Sequence, residues 1–243
     1  MPHSDSLDDE HSRRATGRGE NRLAPAAAVV IAAVTYALLP DSLLFAHRLV
    51  IPAIELALLI ALLLTDPVRL SRQTRWSRAS SVALASVVVV TNLISLGLLV
   101  AALVRPSTES ASLLLGALQV WLTNVIGFGL LFWELDRGGP VLRYKGRRDE
   151  FPPAEWRFSQ DENNDTVTEV SATASARSGW VPTFIDYLYV SLTNSSAFSP
   201  TDTMPLSHRA KILMSVEATS ALLISLLVIA HAVGSIGGGG GGG

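Results

Sequence analysis

Two carboxylates sit inside stretches where charge is expensive. Glu55 falls near one end of the apolar run 49–65, and Glu217 about a turn and a half inside the apolar run 212–233. Acids at such depth face a bundle interior, water or a partner, and they mark sites by default. Glu217 is therefore expected either to carry protons or line a cation vestibule beside Asp202, or to anchor the short helix before it as a protonated or backbone-bonded carboxyl. Glu55 is placed to reach the interface or to pair with Arg48. Between the last two apolar segments lies a polar stretch holding Ser195, Ser196, Ala197, Phe198, Ser199, Pro200, Thr201 and Asp202. Its hydroxyls alternate with carbonyls freed by Pro200 and Pro205, groups that can replace part of an ion's hydration shell. Asp202 adds a negative charge at its mouth. A repeated Thr-Asn pair, at Thr91-Asn92 and Thr123-Asn124, places two amides near mid-depth of adjacent runs. Their plain role is packing: Asn92 and Asn124 hydrogen-bond across the pair while Gly97, Gly127 and Gly129 let backbones approach.

The elements that would position these groups are apolar blocks rather than periodic stripes. With 49% hydrophobic residues and a mean hydropathy of +0.36, the 243-residue chain is more apolar than a soluble domain of its size. The runs 23–39, 49–65, 81–104, 111–133 and 212–233 approach or exceed the ~17–20 residues needed to cross a bilayer core. The first is read as a retained span, because polar residues precede it and further spans follow. The run 183–194 is too short to cross. About twelve helical residues cover only ~18 Å. A short helix, a polar return and a full span make the pattern of a re-entrant loop, since irregular backbone at membrane depth survives only beside protein or water.

The chain is thus expected to be an all-α integral membrane protein with about five transmembrane helices and one re-entrant, pore-type half-helix. Its parts would be a disordered basic tail (1–22), four spans (23–134), a partly disordered polar loop (135–181), the half-helix, return and last span (182–234), and a Gly-rich tail (235–243). Of the 19 basic residues, 17 fall on one side of this arrangement, Arg48 and Arg105 being the exceptions. That bias places the N-terminus in the cytoplasm. Arginine outnumbers lysine heavily, as in GC-rich bacterial genomes, which points to a bacterial plasma membrane. Glu134, Asp136 and Arg137, in the segment WELDRGGP, could pair at the interface, the plainer reading being an ordinary charged and capped exit from the fourth span.

Cysteine is absent, so thiolate chemistry is excluded. No hydrolase, nucleotide-binding or zinc-protease motif occurs. No catalytic residue, metal site or cofactor is expected, and basic clusters follow from topology rather than from nucleic-acid binding. The chain reads as a non-enzyme.

The stretch SLTNSSAFSPTDTMPLSHRAKILMSVEATSALL resembles the pore segment of two-helix potassium channels. Ser191 and Thr193 match the end of the pore helix, Asp202 the acid after the filter, and Pro205, Leu206 and Ser207 the approach to the inner helix. The filter itself is replaced by Ala197, Phe198, Ser199, Pro200 and Thr201, without its two glycines, so potassium selectivity is not implied. The resemblance covers about a fifth of the chain. The chain as a whole looks similar to uncharacterised bacterial multi-pass membrane proteins, which implies no activity. Potassium channels carry the loop on the outer face, whereas the charge bias here puts it on the inner face. What the resemblance implies is a channel-like protein passing small cations or protons with weak selectivity, assembled as a homo-oligomer, most simply a tetramer. The alternative is a non-conducting membrane scaffold with a structural half-helix. In both, the lipid bilayer is the partner.

Overall fold

The computed structural model describes residue 20 and residues 22–65, 75–103, 110–162, 167–197 and 203–238. Six helices carry the fold: α1 (Leu23–Ala37), α2 (Val50–Thr65), α3 (Arg75–Leu103), α4 (Ser110–Leu135), α5 (Phe184–Ala197) and α6 (His208–Gly238). Three of them contain stretches long and apolar enough to cross a membrane, Trp76–Ala102, Ser112–Gly138 and His208–His231. By length and composition the chain is a helical membrane protein. The first two expected spans are shorter apolar helices, of 15 and 16 residues, about 22–24 Å against a core of ~30 Å. α1 stops ahead of Pro40, and Pro52 occupies the first turn of α2, where no intrahelical N–H bond is forfeited.

α4 is the hub, flanked by α1, α3, α5 and α6. It runs antiparallel to α3: Gly127 lies against Val88 and Val89, and Asn124 against Asn92. It also runs antiparallel to α5, with Trp133 against Phe184, Gly129 against Leu188, and the Val125 carbonyl against Ser191. A Cβ on Gly129 would come within 3.2 Å of the Leu188 Cα, so this glycine sets the close approach of α4 and α5. Gly97 meets nothing within 4 Å and has no such role, contrary to its expected one.

The interior is layered. One apolar cluster joins Ala28, Val29 and Ala32 to Leu84, Val88, Ile126, Phe132, Val190 and Met214. A second joins Tyr36, Leu39 and Leu43 to Leu96, Leu99, Val120 and Ile224. Between them, at intermediate positions on α3, α4 and α6, lie the buried polar residues Thr91, Asn92, Ser95, Thr123, Asn124, Glu217 and Ser220.

The connection after α4 folds back onto the bundle end. Arg137, Gly138 and Gly139 take positive φ (47°, 79° and 95°), which turns the chain sharply. Trp156–Arg157 pairs antiparallel with Met204–Pro205, in the register Trp156 to Pro205. Trp156 stacks 4.7 Å from Phe132, and Phe158 lies edge-on to Tyr187 at 5.3 Å. The described parts of the expected polar loop are thus held by aromatic burial, with short helices at Thr168–Ser171 and Ser175–Ser178. At the other end of the chain Glu20 and Arg22 are buried against the bundle, so the tail docks before α1 begins. Residues 1–19 and 239–243 of the two expected tails lie outside the described residues.

Candidate functional site: a buried carboxylate at the half-helix

α5 places Ser191, Asn194 and Ser195 on one face, at helical spacings of three and four. That face meets Glu217 of α6, which is 0% exposed. Ser191 Oγ and Ser195 Oγ both donate to Glu217 Oε1, the latter at 3.3 Å. Asn194 Nδ2 donates to Glu217 Oε2 at 2.6 Å and to the Met214 carbonyl at 2.9 Å. Ser191 Oγ also reaches the Val125 carbonyl of α4, at 2.8 Å. A carboxyl surrounded by three donors from one short helix acts as a clasp, joining α5 to α6 and, through Ser191, to α4.

The polar contacts continue across the bundle. Asn124 Nδ2 donates to the Glu217 carbonyl at 3.4 Å. Asn92 Nδ2 donates to Asn124 Oδ1 at 3.0 Å, and Thr123 Oγ1 donates to Asn92 Oδ1 at 2.5 Å. The cross-helix amide pair expected of Asn92 and Asn124 is therefore present, and it is coupled to Glu217. On the far side of Asn92 a small cavity, with about 10 Å³ of room for water centres, is bordered by Tyr36, Glu55, Thr91, Asn92, Ser95 and Thr123 together with apolar neighbours.

Glu55 is only 2% exposed and does not pair with Arg48. Arg48 bonds instead to Asp41 and to the Ala37 carbonyl. The pairing fails because Glu55 turns inward from α2 toward α3, whereas Arg48 stays in the connection beside Asp41.

Of the expected constriction residues, Ser195 turns onto Glu217 and Ser196 is exposed. Ala197 ends α5. Phe198, Ser199, Pro200, Thr201 and Asp202 lie outside the described residues.

A second polar centre secures the end of the bundle where α5 begins; the pairing of Asp136 with Arg137 was expected, its burial and further partners were not. Asp136, expected at a charged membrane exit, is 0% exposed. Its Oδ1 accepts the Glu155 N–H at 2.7 Å, its Oδ2 accepts the Tyr187 hydroxyl at 2.5 Å, and Arg137 Nη1 lies 3.5 Å away. Arg143 Nη1 donates to the Trp133 and Asp136 carbonyls, and its guanidinium covers the Tyr187 ring at 4.9 Å. Glu155 in turn accepts from Ser207 and Arg209 at the start of α6. Beside this centre Glu20 accepts the Phe184 N–H at 2.6 Å and the Trp133 indole at 2.9 Å. Burial pushes the Glu20 carboxyl above its usual range, while those two donors and Arg143 pull it down.

Among the described residues no cluster of three or more His, Cys, Asp or Glu that could hold a metal occurs. No family model, curated protein or solved structure matches the chain. The features of the site must therefore carry the functional reading by themselves.

Proposed function

We propose that this protein is a pore-loop, channel-like membrane protein that passes small cations or protons with weak selectivity. In this reading α1, α2, α3, α4 and α6 are five spans, and α5 is a re-entrant half-helix entering from the cytoplasmic face of a bacterial plasma membrane. The observation that carries it is the course of the chain around α5. Phe184 sits beside Trp133 and Glu20, at the end of α4. Ser191 reaches down to Val125, yet Met204 and Pro205 are back beside Trp156, which hangs from Asp136 at the same end. Descent and return on one side, with fourteen helical residues between, suit a dip of about 21 Å rather than a crossing. The clasp at Glu217 would hold that dip open against lipid.

With Ser191, Asn194 and Ser195 committed to Glu217, the surface left for a path is the outward face of α5, where Tyr189, Leu192 and Ser196 are exposed. A single half-helix encloses nothing, so the path forms between copies, most simply four.

The test is flux from purified protein in liposomes under proton, sodium and potassium gradients. Flux that falls on Asp202→Asn supports the reading, and no flux in any gradient refutes it. One observation favours the alternative, a non-conducting scaffold: the hydroxyl of Ser195 is spent on Glu217 rather than turned to a path. A scaffold would purify as a monomer or dimer and tolerate Asp202→Ala.

A further inference from the structure

The cavity beside Asn92 combines features that the α5 clasp does not use. It is walled by four helices: Tyr36 comes from α1, Glu55 from α2, Thr91, Asn92 and Ser95 from α3, and Thr123 from α4. Glu55 Oε2 and Ser95 Oγ are fully buried and make no hydrogen bond to another protein group. Asn92 Oδ1 accepts from Thr123 and keeps a second lone pair. Every polar group at the wall can offer oxygen, and the space is the size of one water molecule.

Charge selects what belongs there. An isolated buried carboxylate is expensive and must be neutralised by a proton or a cation. Among the described residues lining the cavity Glu55 is the only acid, and none is Lys, Arg or His. One negative charge balances one positive charge. A divalent ion would leave the membrane interior with a net charge, while hydroxyl and amide oxygens are suited to replacing the hydration shell of an alkali cation. Sodium, the smaller of the common alkali cations, is the ion on which the site is tested.

We propose that this cavity binds a single sodium ion, with Glu55 supplying the charge and Ser95, Tyr36 and Asn92 supplying neutral oxygens. Binding would tie α1 and α2 to α3, since the ligands come from all three. The site is separate from α5 and does not require that the protein conduct.

The experiment is thermal unfolding of the full chain in detergent, titrated with NaCl against choline chloride at constant ionic strength and pH. Occupancy by the ion should raise the Tm by about 5–10 °C when sodium exceeds its Kd a hundredfold. Glu55→Gln should abolish the sodium response, and Ser95→Ala should move its midpoint at least severalfold to higher sodium. Equal Tm in sodium and choline overturns the proposal, as does a sodium response that survives Glu55→Gln. A Tm that responds to acid but not to sodium overturns it in favour of a protonated Glu55. If Glu55→Gln does not fold, Ser95→Ala and Tyr36→Phe decide: a midpoint unmoved by both is a refutation. Because the readout is stability in detergent, absence of liposome flux leaves this result untouched, and a missing sodium response leaves the flux test untouched.

Discussion

Replacing Glu217 by Ala removes the acceptor shared by Ser191, Asn194 and Ser195. Interhelical hydrogen bonds in membranes average about 0.6 kcal/mol and reach about 1.7. Three such contacts therefore bracket a loss of roughly 2–5 kcal/mol. Ser191 and Asn194 retain the Val125 and Met214 carbonyls as second acceptors, which places the loss in the lower half, at about 2–3 kcal/mol. For a chain of this length that is a Tm drop of about 5–10 °C. Glu217→Gln keeps the side-chain volume and one acceptor oxygen but turns an amide toward donors, so it should lose about half as much. The more informative readout is hydrogen exchange resolved by segment. The contacts all end on α5, so its amides should lose protection in Glu217→Ala while those of the α3–α4 pair stay close to wild type. Unchanged exchange in α5, or loss spread evenly over all helices, would refute the view of Glu217 as the fastener of the half-helix.

Asp136→Ala strips acceptors from the Tyr187 hydroxyl and the Glu155 N–H and leaves Arg137 with Asp161 and the Trp156 carbonyl, so it should cost about 3–5 kcal/mol and lower Tm more than Glu217→Ala does. Gly129→Val pushes a branched side chain against the Leu188 backbone and should destabilise by about 1–3 kcal/mol, whereas the same change at Gly97 should be nearly silent in thermal unfolding. Glu20 has a folded-state pKa above its unfolded value, so the folded protein binds the extra proton between the two. Its stabilising contribution is complete below about pH 4.5 and is lost as pH rises through the elevated value; the pH slope of Tm above 4.5 should flatten in Glu20→Gln. If the outward face of α5 lines an axis between copies, Ser196→Cys in this cysteine-free chain should form disulfide dimers in membranes while Leu226→Cys does not. Absence of the Ser196→Cys dimer alongside an intact oligomer would place α5 away from any axis.

Five apolar blocks located α1, α2, α3, α4 and α6, because a bilayer demands continuous hydrophobic runs that few other constraints produce, and a shorter half-amphipathic run located α5. The Thr-Asn repeat gave the α3–α4 register, since antiparallel neighbours bring equivalent depths together and buried amides must find partners. The orientation of α5 was also readable in principle. Ser191, Asn194 and Ser195 recur at helical spacing, and the acid inside the following apolar helix is their acceptor. A pore-segment resemblance drew attention to the residues after Ser195 instead. Asp136 was not legible. Acids at the end of a span are ordinary, and its partners, Glu155 and Trp156, lie about twenty residues on, in a loop whose fold depends on burying Trp156 against Phe132. Glu55 was misjudged for a related reason: nearness in sequence suggested Arg48, but the rotation of α2 decides the partner, and a helix apolar on nearly every face does not reveal its rotation.

The layering gives these details a common physical basis. Two apolar clusters separated by a polar belt could slide or rotate with little penalty if only hydrocarbon filled the bundle, because lipid and leucine are nearly equivalent surroundings. The belt removes that freedom, since its paired amides, hydroxyls and carboxyl meet their partners at a single register of α3, α4, α5 and α6. A belt serving registry alone would be closed throughout, as unpaired buried oxygens destabilise without adding specificity. Among its described residues it is closed from Thr123 to Ser195 and open at Ser95, beside the unpartnered oxygens of Tyr36 and Glu55. The closed part is sufficient to hold the half-helix, so the open part needs a different reason, and an occupant that supplies the missing partner is the simplest one.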